Sequence, residues 1–388
     1  MLFEILLIFI GFQCVESKEY ACDQKPIHPD FCILQNITIH TEEEALEANF
    51  SNTKNSRNFA FLESIIKWMP PKIFDGLFEN VTATGIKLER INGNTFRNCK
   101  RTKRIDFAWN DIEYIEGGTF QNCPQLEHLY LNYNKIREID VRAFNGLGNL
   151  ELLYLWSNKI TRISQEMFES LENLKILDLD QNLIEWISSD TFEELINLEQ
   201  LRLYGNLLTQ IEDGTFKNLV NLEHLELGSN PINSIHRDTF QSLPKLTKLG
   251  ISHTNLKLFQ AHPIDLVEDI YNISKLSNLS SLGIGGSHLD DVSPEFNLTI
   301  FAETSPNLER LYLHRNDLQR INYENIKEIY PKLEIIAIAG NNWQCDYLNK
   351  MLSYFRANNI NPDPDFEKDC DDRKQIDGIC CSESDPSE

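Results

Sequence analysis

Residues 126–245 read LEHLYLNYNKIREIDVRAFNGLGN, LELLYLWSNKITRISQEMFESLEN, LKILDLDQNLIEWISSDTFEELIN, LEQLRLYGNLLTQIEDGTFKNLVN and LEHLELGSNPINSIHRDTFQSLPK, copies of one 24-residue unit. Unit starts fall at residues 102, 126, 150, 174, 198, 222 and 246. Degenerate copies precede them near residues 56 and 78 and follow at Leu279, Leu308 and Leu333, about twelve units in all. A sustained period of this size means stacked units rather than two or three globular domains. No single unit can bury its apolar face, so stability must come from neighbours.

The spacing within a unit has a physical cause. Leu129 and Leu131 alternate as a short strand does, which turns them inward and Tyr130 outward. Asn134 recurs as Asn110, Asn158, Asn182, Asn206, Asn230, Asn316 and Asn341. An inward amide at that point can bond backbone groups of adjacent turns that would otherwise be buried without partners. Ile136 and Ile139 follow on the core side, and Phe144 and Leu147 close the unit from behind. The phenylalanine recurs at 74, 96, 120, 168, 192, 216 and 240, which predicts an aromatic spine. This is the leucine-rich-repeat pattern. It predicts an α/β solenoid, a curved horseshoe with a parallel β-sheet on its concave face and disulfide-containing caps at both ends.

Outside the repeats, residues 1–17 (MLFEILLIFIGFQCVES) read as a secretory signal, because the apolar stretch is too short to span a bilayer. Residues 18–55 form the expected N-terminal cap, 56–342 the repeats, and 343–388 the C-terminal cap and acidic tail. In the latter, Leu348, Met351, Leu352 and Phe355 fall on one helical face that can cover the last repeat. Between Phe259 and Leu308 the steps lengthen to 33 and 29 residues, and Thr254 and Ser287 replace the ladder asparagine, so loops are expected there.

The 388 residues carry a formal charge of −23, the wrong sign for a protein that displaces counterions from phosphates, so no nucleic acid is expected as partner. No later segment suggests membrane insertion. The phosphate-loop, zinc-hydrolase and nucleophile-elbow motifs are all missing, and PDPDFEKDCDD lacks the spacing of a calcium loop, so no enzyme activity, cofactor or metal is implied. What remains is a surface. The outward strand positions of five successive repeats present Trp109, Tyr130, Tyr133, Tyr154 and Trp156, then Asp178, Asp180, Arg202 and Tyr204. Aromatic and arginine side chains dominate protein-binding energetics, so this stripe is the candidate partner site. Twelve strands about 4.8 Å apart give an arc of roughly 55 Å, suited to a protein ligand rather than a metabolite.

A secreted chain makes disulfides the default reading of its cysteines. Cys22 and Cys32 can close a hairpin in the first cap. Cys99 and Cys123 hold one position in successive repeats and should stack within bridging distance, although two buried thiols at leucine sites would also fit. Cys345 is expected to pair with Cys370 or Cys380, which leaves the vicinal Cys380–Cys381 pair as candidates for a bond to another chain. Sequons for N-glycosylation stand at Asn36, Asn49, Asn80, Asn272, Asn278 and Asn297.

The C-terminal text GNNWQCDYLNKML, a spaced Cys and DGICC, with the opening CILQNITIH, resembles the leucine-rich-repeat immune proteins of mosquitoes and related flies. The resemblance implies a haemolymph protein of innate immunity. It also implies a disulfide-linked dimer through Cys380 or Cys381, and a complement-like thioester protein or other immune protein as partner. In that family the double cysteine precedes coiled-coil helices, whereas only SESDPSE follows Cys381, so the expectation is a short, coiled-coil-free form. A developmental or matrix ligand-binding role, like a soluble Toll-like or Slit-like ectodomain, is the alternative.

Overall fold

The structure, a computed structural model, describes residues 19–22, 30–51, 56–75, 78–236, 239–256, 276–287, 295–302, 305–363, 370 and 373–383. The leader read at 1–17, the sequon Asn272 and most of the expected loops between 259 and 308 lie outside them. Thirteen short strands lie side by side, in chain order, in one parallel sheet. The first three are β1 (Phe31–Gln35), β2 (Asn58–Leu62) and β3 (Asn80–Thr82). Next come β4 (Arg104–Asp106), β5 (His128–Tyr130), β6 (Leu152–Tyr154), β7 (Ile176–Asp178) and β8 (Gln200–Arg202). The sheet ends with β9 (His224–Glu226), β10 (Lys248–Gly250), β11 (Ser281–Gly283), β12 (Arg310–Tyr312) and β13 (Ile335–Ala337). Twelve of these belong to repeats, and β1 extends the sheet into the first cap.

Register follows the sequence period. Leu129 pairs with Leu153, Leu153 with Leu177 and Leu177 with Leu201, all fully buried. The longer steps survive as pairing without slippage, Leu249 with Leu282 and Leu282 with Leu311. The asparagine ladder does what its position predicts. Asn134 Oδ1 accepts from the Ile112 amide at 3.1 Å, while its Nδ2 donates to the carbonyls of Phe107 and Leu131 at 2.9 and 3.0 Å. Each ladder amide thus satisfies backbone groups of two repeats at once. Behind it, Phe74–Phe96, Phe96–Phe120 and Phe120–Phe144 have ring centroids 4.8, 4.9 and 6.3 Å apart.

A second ladder runs on the outer flank. Asn149, Asn173, Asn197 and Asn221 each donate Nδ2 to a carbonyl of the preceding repeat at 2.7–2.9 Å. The sequon Asn278 continues this row, donating to the Pro244 carbonyl at 2.8 Å.

The cysteines correct one expectation. Cys22–Cys32 and Cys99–Cys123 are bonded as read from spacing, the latter with Cα atoms 4.7 Å apart. In the last cap, however, Cys345 bonds Cys381, and Cys370 bonds Cys380. Neither vicinal cysteine is therefore available for an interchain bond. The physical reason is a hairpin, Lys374–Ile376 against Ile379–Cys381, which sets the two neighbours on opposite faces. One thiol meets the helix Cys345–Ala357 and the other meets Cys370. That helix buries Leu348, Met351, Leu352 and Phe355 over the last repeat, as its periodicity predicts.

Candidate functional site

Three rows of outward positions cross the concave face. In the first, cross-strand pairing sets Asp106, Tyr130, Tyr154, Asp178, Arg202, Glu226 and Gly250 side by side. The second row, two residues on, holds Ala108, Asn132, Trp156, Asp180, Tyr204 and Gly228. The third is the residue before each ladder asparagine.

That third position has positive φ in repeat after repeat: Trp109 (60°), Tyr133 (54°), Ser157 (58°) and Gln181 (54°) among them. The left-handed conformation turns the chain out of the strand and suits glycine, which fills it at Gly205 and Gly340. A tryptophan there is strained, and strain of this kind is retained at functional sites. Trp109 is 56% exposed. Its ring stacks on Tyr133 at 3.5 Å, and Tyr133 meets Trp156 edge-on at 4.2 Å. Tyr130 and Tyr154 form a second, edge-to-face pair at 5.2 Å, with the Arg104 guanidinium 3.9 Å over the Tyr130 ring. The structure therefore sets the five predicted aromatics on one face in two contacting groups, Trp109–Tyr133–Trp156 and Tyr130–Tyr154. Ala108 and Asn132, which share the second row with Trp156, are buried, at 6% and 7% exposure.

The predicted charges form the other half of the surface, and they are less exposed than the sequence suggests. Asp178 is only 5% exposed, with its carboxylate 3.7 Å from the Arg202 guanidinium. Asp180 accepts from the Tyr204 amide at 2.7 Å, and Tyr204 itself is exposed. Burial raises the Asp178 carboxyl above the usual range. Burial, reinforced by the Asp178 charge, pushes Asp180 up to about 7.

One member, Glu226, escaped the sequence reading. Glu226 adjoins Arg202 in register, and burial raises its carboxyl too. Its carboxylate fills the space where a Gly250 side chain would stand, since a Cβ there would meet it at 2.0 Å. His224 is pushed down to about 4, by burial first and then by Arg202 and Lys248. The signal for Glu226 was present: a glycine one repeat after an outward acid leaves room for its carboxylate.

Farther along, outward side chains shrink to Gly250, Gly283, Gly285, Ala337 and Ala339. His253 and His314 face each other there, with centroids 5.5 Å apart. Among the described residues, no group of three or more His, Cys, Asp or Glu is placed to hold a metal, and no helix is long and apolar enough to cross a membrane. Of the described sequons, Asn36, Asn278 and Asn297 are exposed, while Asn49 and Asn80 are half-buried. Asn80 opens strand β3 and donates to Asn58 Oδ1 at 2.7 Å.

Comparison with known proteins agrees with this architecture. The sequence profile of the leucine rich repeat family matches in five overlapping stretches between residues 84 and 256. No curated protein matches the chain. Among solved structures, the TLR13–ssRNA13 complex superposes with a TM-score of 0.61 at 20% identity, over 80% of this chain and 50% of that one. This chain thus spans about half the length of that protein. The APL1 leucine-rich repeat domain superposes with a TM-score of 0.58 at 19% identity, over 94% of this chain and all of that one. At such identities the likeness speaks to fold. Taken with the thirteen-stranded sheet and the asparagine ladder, it makes the chain a leucine-rich-repeat solenoid closed by disulfide-bonded caps.

Proposed function

We propose that this is a secreted recognition protein of innate immunity that binds a protein partner on its concave face. The observation that carries the reading is the single face of Trp109, Tyr133, Trp156, Tyr130 and Tyr154 abutting Asp178, Asp180, Arg202 and Tyr204. The core of a leucine-rich repeat does not need aromatics at outward positions, since the same scaffold runs on with glycine and alanine there. Large rings at the centre of a broad surface are the usual anchors of a protein interface. Four disulfides support an oxidising, extracellular setting. The cap sequence supports the immune assignment through the family it resembles.

TLR13 was solved with single-stranded RNA. Here the face carries buried carboxylates and the chain a charge of −23, which oppose a polyanion. The test is capture of partners from haemolymph by the wild-type protein and by Tyr154→Ala combined with Trp156→Ala. The double variant should lose the partner while keeping its melting temperature, and single-stranded RNA should bind neither. Unchanged capture would move the binding surface elsewhere. Transcript induction on infection supports the immune role; steady expression in developing tissue alone would replace it with a developmental one.

A further inference from the structure

The charged half of the concave face is short of cations. Asp178 lies on β7, Asp180 on the continuation of that strand and Glu226 on β9, with β8 and its Arg202 between them. Among the described residues Arg202 is the cation set between them in register, with its guanidinium 3.7 Å from the Asp178 carboxylate. Its Nε has no hydrogen-bond partner. Lys248, on the next strand, makes no ion pair with them among the described residues. Such an arrangement is electrostatically unfavourable in the free protein, since burial weakens screening between like charges.

A second observation is independent of charge. Asn132 stands in the same outward row, one strand from Trp156; it is 7% exposed, and its Oδ1 has no donor. An acceptor left without a donor in a buried position is costly unless something supplies one. Asp180 meanwhile stands between Trp156 and Tyr204 in that row, and ring faces beside a carboxylate are what an ammonium or guanidinium prefers.

Resting on the reading of this face as the partner surface, we infer that it seats a lysine- or arginine-bearing segment of the partner protein. The cationic head lies between Trp156 and Tyr204, over the carboxylates of Asp180 and Glu226. Burial raises both carboxyls, and a bound cation would favour their ionised form.

The experiment uses a 12-residue Gly/Ser peptide bearing three lysines, and the same peptide with the lysines acetylated, titrated by calorimetry at physiological salt. Wild type should bind the lysine peptide and not the acetylated one. Asp180→Asn combined with Glu226→Gln should weaken binding about tenfold or more and flatten its salt dependence. Glu169→Gln, Glu172→Gln and Glu185→Gln together remove the same kind of charge outside the sheet and should change it little. Equal binding of both peptides, or equal losses from both sets of variants, would overturn the inference. Melting curves keep the result readable, because neutralising a crowded carboxylate should not unfold the protein. Partner capture separates the two readings. Loss with the aromatic pair but not with Asp180→Asn and Glu226→Gln sinks cation recognition and leaves the protein-binding face standing. Retention with both removes the face itself.

Discussion

The two halves of the sheet share a scaffold and differ almost wholly in what they show to solvent. Strands β4–β9 carry rings and charges outward, whereas β10–β13 carry more glycine and alanine, with Lys248, Arg310, Tyr312 and His314 as exceptions. The buried leucine row does not notice the change: Leu153, Leu201, Leu282 and Leu311 are all fully buried, and the ladder runs from Asn110 to Asn341 with Thr254 and Ser287 standing in at two rungs. The lesson is that inner and outer positions obey separate constraints. Packing fixes the former in every repeat, so variation in the latter is where function can be written.

That separation can be broken at several points, and the largest effect should come from the ladder. Asn182→Ala removes the acceptor for the Ile160 amide and the donor to the Leu155 and Leu179 carbonyls. It should cost about 3 kcal/mol in urea unfolding. Asn341→Ala, which strips the Leu318 amide and the Leu313 and Ile338 carbonyls, should cost as much. A loss at only one of them would mean that the halves differ inside as well as outside. Replacing Cys99 and Cys123 with serine should lower stability by about 2–3 kcal/mol, read in the same experiment.

Smaller effects sharpen the outer contrast. The Asp180 carboxyl has its folded pKa raised to about 7, so the folded chain keeps a proton that the unfolded chain releases from about pH 4 upward. Native stability should therefore fall between those values. Asp180→Asn should remove that loss, gaining about 1 kcal/mol at pH 8 and little at pH 4, by melting temperature against pH. In the bland half, Gly340→Ala should destabilise, because its φ is +71° and a Cβ would meet Arg315 Cγ at 2.7 Å. Trp109→Gly should change stability by about 0.5 kcal/mol or less, since relief of backbone strain offsets the lost stacking on Tyr133. It should nevertheless weaken partner binding. Finally, with all eight described cysteines bonded within the chain, the protein should run as a monomer on reducing and non-reducing gels alike.

Much of this was legible in the text because a repeat states each constraint many times. The strand positions, the ladder, the phenylalanine spine and the Cys99–Cys123 bridge all follow from a period of 24. The aromatic stripe was legible for the same reason, since alternation assigns Tyr130 and Tyr154 outward. Legibility failed where the period carries no information. The cap occurs once, so the partners of Cys345 and Cys370 depended on a hairpin whose register no pattern announces. The burial of Asp178 depends on neighbours in adjacent repeats, and Glu226 could be found only by reading Gly250 of the next repeat as room for its carboxylate. The flank ladder of Asn149, Asn173, Asn197 and Asn221 was in plain view, but an exposed asparagine gives no hint that it is bonding.

The bridge between Cys99 and Cys123 also has a mechanical meaning. Pulled by its ends, a stack of this kind peels one repeat at a time, each lengthening the chain by 24 residues, about 80 Å of contour. The 24-residue loop between these two cysteines cannot be drawn out while the bond holds. That segment is a ratchet stop under tension, placed directly beside the first of the aromatic anchors. A pull on the chain would thus spare the stapled repeat that carries Trp109 for as long as the bond holds.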